Sequence, residues 1–240
     1  MMRDNLTIGR WRYLIACDYL SSDDISGLFD QKLALSSDGQ KAGGRGQAII
    51  FRRGDREYVL RHYLRGGLWG KLSGDLFTSF MPHAHRAFDE LKLLLSMYNE
   101  GLPVPRPVAS RETGDLFIRQ DIVVERILAK DLSKIISTRY LTKDEMIRLG
   151  FTLRRFFEAG IMHTDLNIRN ILLSETGEFY LIDFDKCYRR HMGYEQQKSV
   201  LLRLKRSFLK EIRNNTDKTY YNNTDFALVE SNAIPNTVSV

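Results

Sequence analysis

The sequence predicts an α+β chain in two parts, strand-rich over residues 1–125 and helical over 128–213. Three observations predict it. Alternation of apolar and polar residues marks the first half, as at Glu57–Tyr63, with the period of a half-buried strand. Long stretches of helical spacing are few, one around Phe88 and two after Thr142. Between them Leu102–Val108 carries Pro103, Pro105 and Pro107, which reads as an extended, proline-stiffened connector. At 240 residues the chain has length for one large domain or two small lobes, with ample core either way.

Composition narrows the partners. Apolar runs such as Tyr13–Cys17 are far too short to span a bilayer. The N-terminus lacks the basic-then-apolar pattern of a signal peptide, so the cytoplasm is the default compartment. Cys17 and Cys187 are far apart and lack CxxC or CxxH spacing, so neither a disulfide framework nor a zinc site is expected. The net charge of +6 favours nucleotide, anionic lipid or nucleic acid without choosing among them.

In chain order, Trp11–Cys17 reads as a strand and Ser21–Lys32 as a short helix or loop. Gly43, Gly44 and Gly46 precede the apolar Ala48–Phe51. Glycines there let backbone N–H groups approach a phosphate, although an ordinary hairpin turn fits as well. In the strand that follows, Arg61 is a permanent cation whose fork of donors matches phosphate; a solvated strand arginine is the alternative. Leu64–Leu72, with Arg65 and Lys71, mixes glycine, cations and large apolar residues without a period. A phosphate loop, a sugar-recognition loop, a membrane-touching flap or a plain connector would all suit it.

A helix is expected over Pro82–Asn99, with Phe88, Leu91, Leu94, Leu95 and Tyr98 as its apolar face. Glu90 lies at the margin of that face, where it could pair with Arg61 as a helix glutamate does in kinases; a merely solvated glutamate is the alternative. Leu116–Ile118 and Asp121–Arg126 read as a hairpin, followed at Glu125–Ile127 by a hinge that would offer backbone groups to a nucleotide base. Thr142 and Glu145 form a capping box opening a helix with Met146, Leu149, Leu153, Phe156 and Phe157 inward, and Gly160 ends it. Lys198–Ile212 is amphipathic. Residues 186–218 hold ten Lys or Arg against three Asp or Glu, a basic surface either merely solvated or suited to an anionic membrane or acceptor. Residues 214–240 read as a flexible polar tail.

Chemistry concentrates in His163-Thr164-Asp165-Leu166-Asn167-Ile168-Arg169-Asn170 and in Leu181-Ile182-Asp183-Phe184-Asp185. Asp165 offers a carboxylate to orient an acceptor hydroxyl. Asn170 and Asp183 offer hard oxygen ligands for a nucleotide's Mg²⁺. The apolar Ile171–Leu173 and Phe179–Ile182 read as strands, and the Ser174–Gly177 turn between them would hold Asn170 near Asp183. This spacing resembles the kinase catalytic loop followed by the metal-binding D-F-G, and the element order resembles a protein-kinase-like two-lobed fold with a reduced helical C-lobe. The sequence has no Ala-Pro-Glu and no long activation segment, which argues against a protein substrate.

HTDLNIRNILL, LIDFDKC, VLRHYLRGGLWGKLSGDLF and GLPVPRPVA resemble the 3-deoxy-D-manno-octulosonic acid (Kdo) kinases of the lipopolysaccharide kinase family over roughly residues 40–205. The resemblance implies ATP- and Mg²⁺-dependent phosphorylation of the 4-hydroxyl of Kdo on a Kdo–lipid A precursor. It implies a peripheral protein at the cytoplasmic face of the inner membrane, with no nucleic-acid partner. By position, Asp165 would be catalytic base, Asn170 and Asp183 metal ligands, and Arg61 with Glu90 the phosphate-side ion pair. Gly43, Gly44, Gly46 and Glu125 would line the nucleotide. Arg65, Lys71, Arg203, Lys205 and Arg206 would meet acceptor or lipid. A core heptose kinase, a small-molecule kinase of aminoglycoside or choline type, and a non-catalytic binding module are the alternatives.

Overall fold

The computed structural model describes residues 3–30, 40–42, 48–63, 77–78, 84–114, 117–214 and 219–234. The chain divides into two compact units. Unit 1 is Met1–Asn99 with Pro105–Arg126, and unit 2 is Glu100–Val104 with Ile127–Val240.

Unit 1 is built on one antiparallel sheet. Its described strands are β1 (Arg3–Ile8), β2 (Trp11–Ile15), β3 (Gln40–Ala42), β4 (Ala48–Arg53), β5 (Arg56–His62), β6 (Phe77–Thr78), β7 (Pro107–Thr113) and β8 (Phe117–Glu125). Their order is β1-β2-β7-β8-β5-β4-β3, with β6 also on β8. The short helix α1 (Ser22–Leu28) is N-capped by Ser21, whose hydroxyl accepts the Asp24 N–H, removing one orphan donor of the first turn. Its Ile25 and Leu28 join Phe29, Tyr13, Phe51 and Tyr58 in one apolar cluster.

Two expectations shift here. The hairpin pairs β7 with a continuous β8, so Pro107 and Val108 belong to a strand and not to the connector. Arg119 and Gln120, which the expected hairpin leaves as its turn, lie within β8. In the fold Asp121, 1% exposed, is matched by His62 at 2.6 Å and by Arg111 at 2.7 Å, so its burial leaves no unpaired charge. Residues 100–104, in turn, group with unit 2. There the Pro103 carbonyl accepts the Leu181 N–H at 3.0 Å and Arg189 holds Glu100 at 2.7 Å.

Helix α2 (Arg86–Asn99) packs on β7 and β8. Its buried stripe is Ala87, Glu90, Leu91, Leu94 and Met97, so the inward face is turned from the one the large apolar residues suggested. Tyr98 is exposed, and Glu90 sits inside the stripe rather than at its margin. Gln120 of β8 causes the turn, because its amide oxygen accepts the Ala87 N–H at 3.0 Å while its nitrogen donates to the Ala84 carbonyl at 2.7 Å. The first turn is thus capped from the sheet. Pro82, expected in that turn, lies outside the described residues.

Unit 2 contains β9 (Ala129–Asp131), α3 (Leu132–Ile136), α4 (Lys143–Glu158), β10 (Ile161–Met162), β11 (Ile171–Ser174), β12 (Phe179–Leu181), β13 (Tyr188–Arg189), α5 (Tyr194–Asn214) and α6 (Phe226–Ala233). The Thr142–Glu145 capping box forms, and Met146, Leu149, Leu153, Phe156 and Phe157 are buried, as the spacing predicts. The expected tail is the larger correction. Residues 219–234 are part of unit 2, with Phe226, Val229 and Ala233 buried on α6 and the Tyr220 N–H bonded to the Ile136 carbonyl. Asparagines mask this segment in composition, but three apolar side chains at helical spacing are enough to dock one short helix on a neighbour. No described helix is long and apolar enough to cross a membrane.

Gly150 of α4 fits where α6 comes closest, since a Cβ there would lie 2.8 Å from the Val229 carbonyl oxygen. Gly150→Ala should therefore lower stability by about 1–3 kcal/mol, overpacking outweighing the better helix propensity of alanine. A raised or unchanged urea midpoint would contradict this contact.

Candidate active site

The chemistry-bearing loop of unit 2 starts where α4 ends. Gly160 adopts φ +68°, and a Cβ on it would fall 2.6 Å from the Arg190 carbonyl oxygen, so the chain can turn here only on glycine. Arg190 N–H answers by bonding to the Gly160 carbonyl at 2.8 Å, and β10 pairs with β13.

His163 comes next, 3% exposed. Its Nε2 bonds the Ile182 carbonyl at 3.1 Å and its Nδ1 accepts the Asp165 N–H at 3.3 Å. The ring lies 5.0 Å from that of Phe184, which stacks on Phe156 of α4. Burial lowers the imidazole's pKa, and the neutral Nε2–H tautomer is the one this pair of partners requires. Sequence spacing marks His163 only as part of a motif. In the fold it bridges the loop to the segment carrying Asp183.

Asp165 is exposed. Its carbonyl accepts both the Asn167 and the Asn170 side-chain amides, each at 2.9 Å, while Asn167 Oδ1 accepts the Arg169 N–H at 2.9 Å. The loop therefore closes on itself. Asn170 donates through its nitrogen to the loop, so its amide oxygen is the end of the side chain able to meet a cation. Its backbone carbonyl accepts the Ile182 N–H at 3.0 Å. With Ile171 opposite Leu181 in the β11–β12 ladder, Asp183 follows immediately beyond Asn170's partner. The Ser174–Gly177 turn closes this hairpin, and it brings Asn170 and Asp183 together as their spacing predicts. Asp183 has φ +65°, a left-handed conformation that costs a non-glycine residue on the order of 1–2 kcal/mol.

Unit 1 places Arg61 of β5 on Glu90 of α2 in an ion pair. Sequence reading missed the third member, Tyr63. Its hydroxyl donates to the same Glu90 carboxylate, and Arg61 also reaches that hydroxyl at 2.9 Å with its guanidinium over the ring. Two positions along a strand share a face, which is the signal that could have found it. Burial pushes the Tyr63 phenol well above its ordinary pKa, so it stays a donor. Glu90 is 5% exposed, and two donors compensate a carboxylate that burial would otherwise penalise.

Other expected residues stand differently. Glu125 accepts from Tyr19 at 2.7 Å and from Arg56 at 2.7 Å, making its side chain a structural hub. The N–H groups of Glu125 and Arg126 bond the carbonyls of Arg106, just before β7, and of Glu57 in β5, so those two donors are committed to neighbouring backbone. Arg203 donates to the Thr164 carbonyl, and Lys205 lies 3.8 Å from Glu230 and over the Phe226 ring. Neither cation is a simple solvated charge, because α5 packs these positions on its own unit. Arg206 is exposed. Gly43, Gly44, Gly46, Arg65 and Lys71 lie outside the described residues.

The neutral state of His163 gives a pH signature. Its folded pKa lies below the ordinary 6.5, so acid favours the unfolded chain. The contribution is complete above about pH 6.5 and declines as the pH falls below it. Unfolding free energy should drop more between about pH 7 and pH 5 for the wild type than for His163→Asn. Parallel curves in denaturant titrations would refute the assignment.

Comparison with known proteins finds relatives over most of the chain. The 3-deoxy-D-manno-octulosonic acid kinase of Haemophilus influenzae strain Rd is 42% identical over 181 residues, covering 71% of this chain and 75% of that protein. The enzyme of the same name from Vibrio parahaemolyticus is 37% identical over 190 residues, covering 78% and 79%. The Vibrio cholerae protein is 36% identical over 173 residues, covering 71% and 73%. Among solved structures the PK-1 kinase of the Cydia pomonella granulovirus is similar at 13% identity and a TM-score of 0.45, covering 70% of this chain and 58% of that one. The model of the lipopolysaccharide kinase (Kdo/WaaP) family matches residues 37–227. With the family model matching most of the chain and relatives 36–42% identical over about three quarters of their own length, the chain belongs to the lipopolysaccharide kinase (Kdo/WaaP) family.

Proposed function

We propose that the protein transfers the γ-phosphoryl group of ATP to the 4-hydroxyl of Kdo on a Kdo–lipid A precursor. One observation carries this reading: the hydrogen bonds that tie Asp165 to Asn170 and Asn170 to Ile182. They set an acceptor-side carboxylate and two oxygen ligands in one rigid frame, the arrangement phosphoryl transfer needs. Asp165 orients the sugar hydroxyl and takes its proton. The new bond forms between that oxygen and phosphorus as the bond to the ADP oxygen breaks. Arg61, braced by Glu90 and Tyr63, holds nucleotide phosphate through its fork of donors. With the N–H groups of Glu125 and Arg126 committed, a base at this hinge would be read by other backbone atoms.

The donor set suits magnesium. An amide oxygen and a carboxylate are hard ligands, and Mg²⁺ completes its shell with phosphate oxygens and water. Among the described residues no three His, Cys, Asp or Glu gather into a metal cluster, and a two-ligand site shared with phosphates requires none. Bound between Asn170 and Asp183, the ion would neutralise charge developing on the phosphates.

The acceptor belongs to an anionic lipid surface, and α5 carries a suitable face. Tyr194, Lys198, Leu202 and Arg206 are exposed and four residues apart, a continuous stripe of aromatic, aliphatic and basic groups. In this reading Arg206 meets the lipid surface, whereas Arg203 and Lys205 are held by their own unit.

The decisive assay follows labelled phosphate from ATP to Kdo–lipid IVA, with heptosylated core as a parallel acceptor. Label should enter the Kdo lipid, and Asp165→Ala should reduce kcat about 10²–10⁴-fold. Label on the heptosylated core alone would reassign the acceptor. For the membrane face, Lys198→Glu with Arg206→Glu should weaken flotation with anionic vesicles. Added salt should raise the acceptor's KM more than that of ATP, because exposed charges are screened; equal effects would count against that face.

A further inference from the structure

Helix α5 does more than present a basic surface. We propose that Arg203, Ser207 and Glu211 are positioning residues that hold the catalytic loop around Asp165, an inference resting on the role of Asp165 given above. The three lie four residues apart, which puts them on one helix face. Each grips a different point of the loop. Arg203 donates to the Thr164 carbonyl. Ser207 Oγ accepts the Ile168 N–H at 3.1 Å while donating to the Leu204 carbonyl at 2.6 Å. Glu211 takes the Arg169 guanidinium through both oxygens, at 3.1 and 2.9 Å.

These anchor points flank Asp165 on both sides. Thr164 precedes it, and Ile168 and Arg169 follow it. Ile168 is 1% exposed, so its N–H requires a partner inside the protein, and Ser207 supplies one. Its carbonyl is held as well, by the Leu132 N–H at 3.0 Å. The helix itself cannot drift, because Val200, Leu201, Leu204 and Phe208 are buried and Phe208 stacks on Tyr221 with ring centroids 4.7 Å apart. The asparagine bonds close the loop internally; the α5 stripe fixes where the closed loop sits. Position matters because a shift of about 1 Å in a reacting group can cost on the order of 10²-fold in rate.

The test is Kdo–lipid IVA phosphorylation by the full chain, read as kcat per folded enzyme with the KM for ATP measured alongside. Ser207→Ala removes one acceptor without changing charge. Arg169→Glu and Glu211→Arg each break the ion pair, and the double variant restores it in reverse. We expect each single variant to lose about tenfold in kcat with the KM for ATP unchanged, and the double exchange to recover most of that loss. Thermal melts confirm that each variant is folded. Wild-type kcat in Ser207→Ala and in both charge variants, or strictly additive losses in the double variant, would overturn the proposal. Asp165→Ala run in parallel separates the two claims. If that variant keeps its activity, the reading of the loop itself fails; if it is inactive while the α5 variants match the wild type, only the positioning role fails.

Discussion

The hydrogen bond from the Ile182 N–H to the Asn170 carbonyl, 3.0 Å, is the link on which the rest of unit 2 depends. It joins two segments that contribute separate chemistry and fixes their register in one step, since β11 and β12 can pair in only one way once it is made. Around it the neighbouring groups fall into place. Asn170 reaches back to the Asp165 carbonyl, and His163 reaches forward to the Ile182 carbonyl. Phe184 then closes the apolar side against Phe156. His163, 3% exposed, tolerates burial because both ring nitrogens have fixed partners.

Unit 1 solves a comparable problem with different means. A buried carboxylate at Glu90 is costly unless it is fully matched. The match comes from Arg61 and Tyr63 on one strand face. The helix that carries Glu90 is in turn set by Gln120, whose amide caps its first turn from the sheet. Sheet, cap and ion pair therefore form one chain of dependence, in which the orientation of α2 decides whether Arg61 is held or left to solvent.

A basic helix can serve several purposes at once because its faces are chemically independent. On α5 the apolar face anchors the helix, and one polar face reaches the loop through Arg203, Ser207 and Glu211. Another polar face, from Tyr194 to Arg206, is exposed to solvent. Net charge alone treats these cations as equivalent. Their partners separate them, and with Lys205 drawn to Glu230, only part of the positive charge remains available to an outside anion.

By itself the sequence determined whatever depends on short-range spacing. The loop from His163 to Asn170, the hairpin to Asp183, the Thr142 capping box and the stop at Gly160 all follow from local backbone requirements. The pairing of Arg61 with Glu90 could be anticipated only through the resemblance to kinases, since nothing in local spacing requires it. What only the tertiary structure decided are contacts between residues far apart in the chain. Arg119 and Gln120 look like a turn until pairing with β7 draws them into one continuous strand, where the adjacent Asp121 is matched by Arg111 and His62. The inward face of α2 depends on a glutamine some thirty residues away in β8, and the segment after Asn214 looks like a tail until α4 offers Gly150 as a seat for α6. In each case local propensity is weak and long-range packing supplies the missing free energy, which no window of neighbouring residues contains.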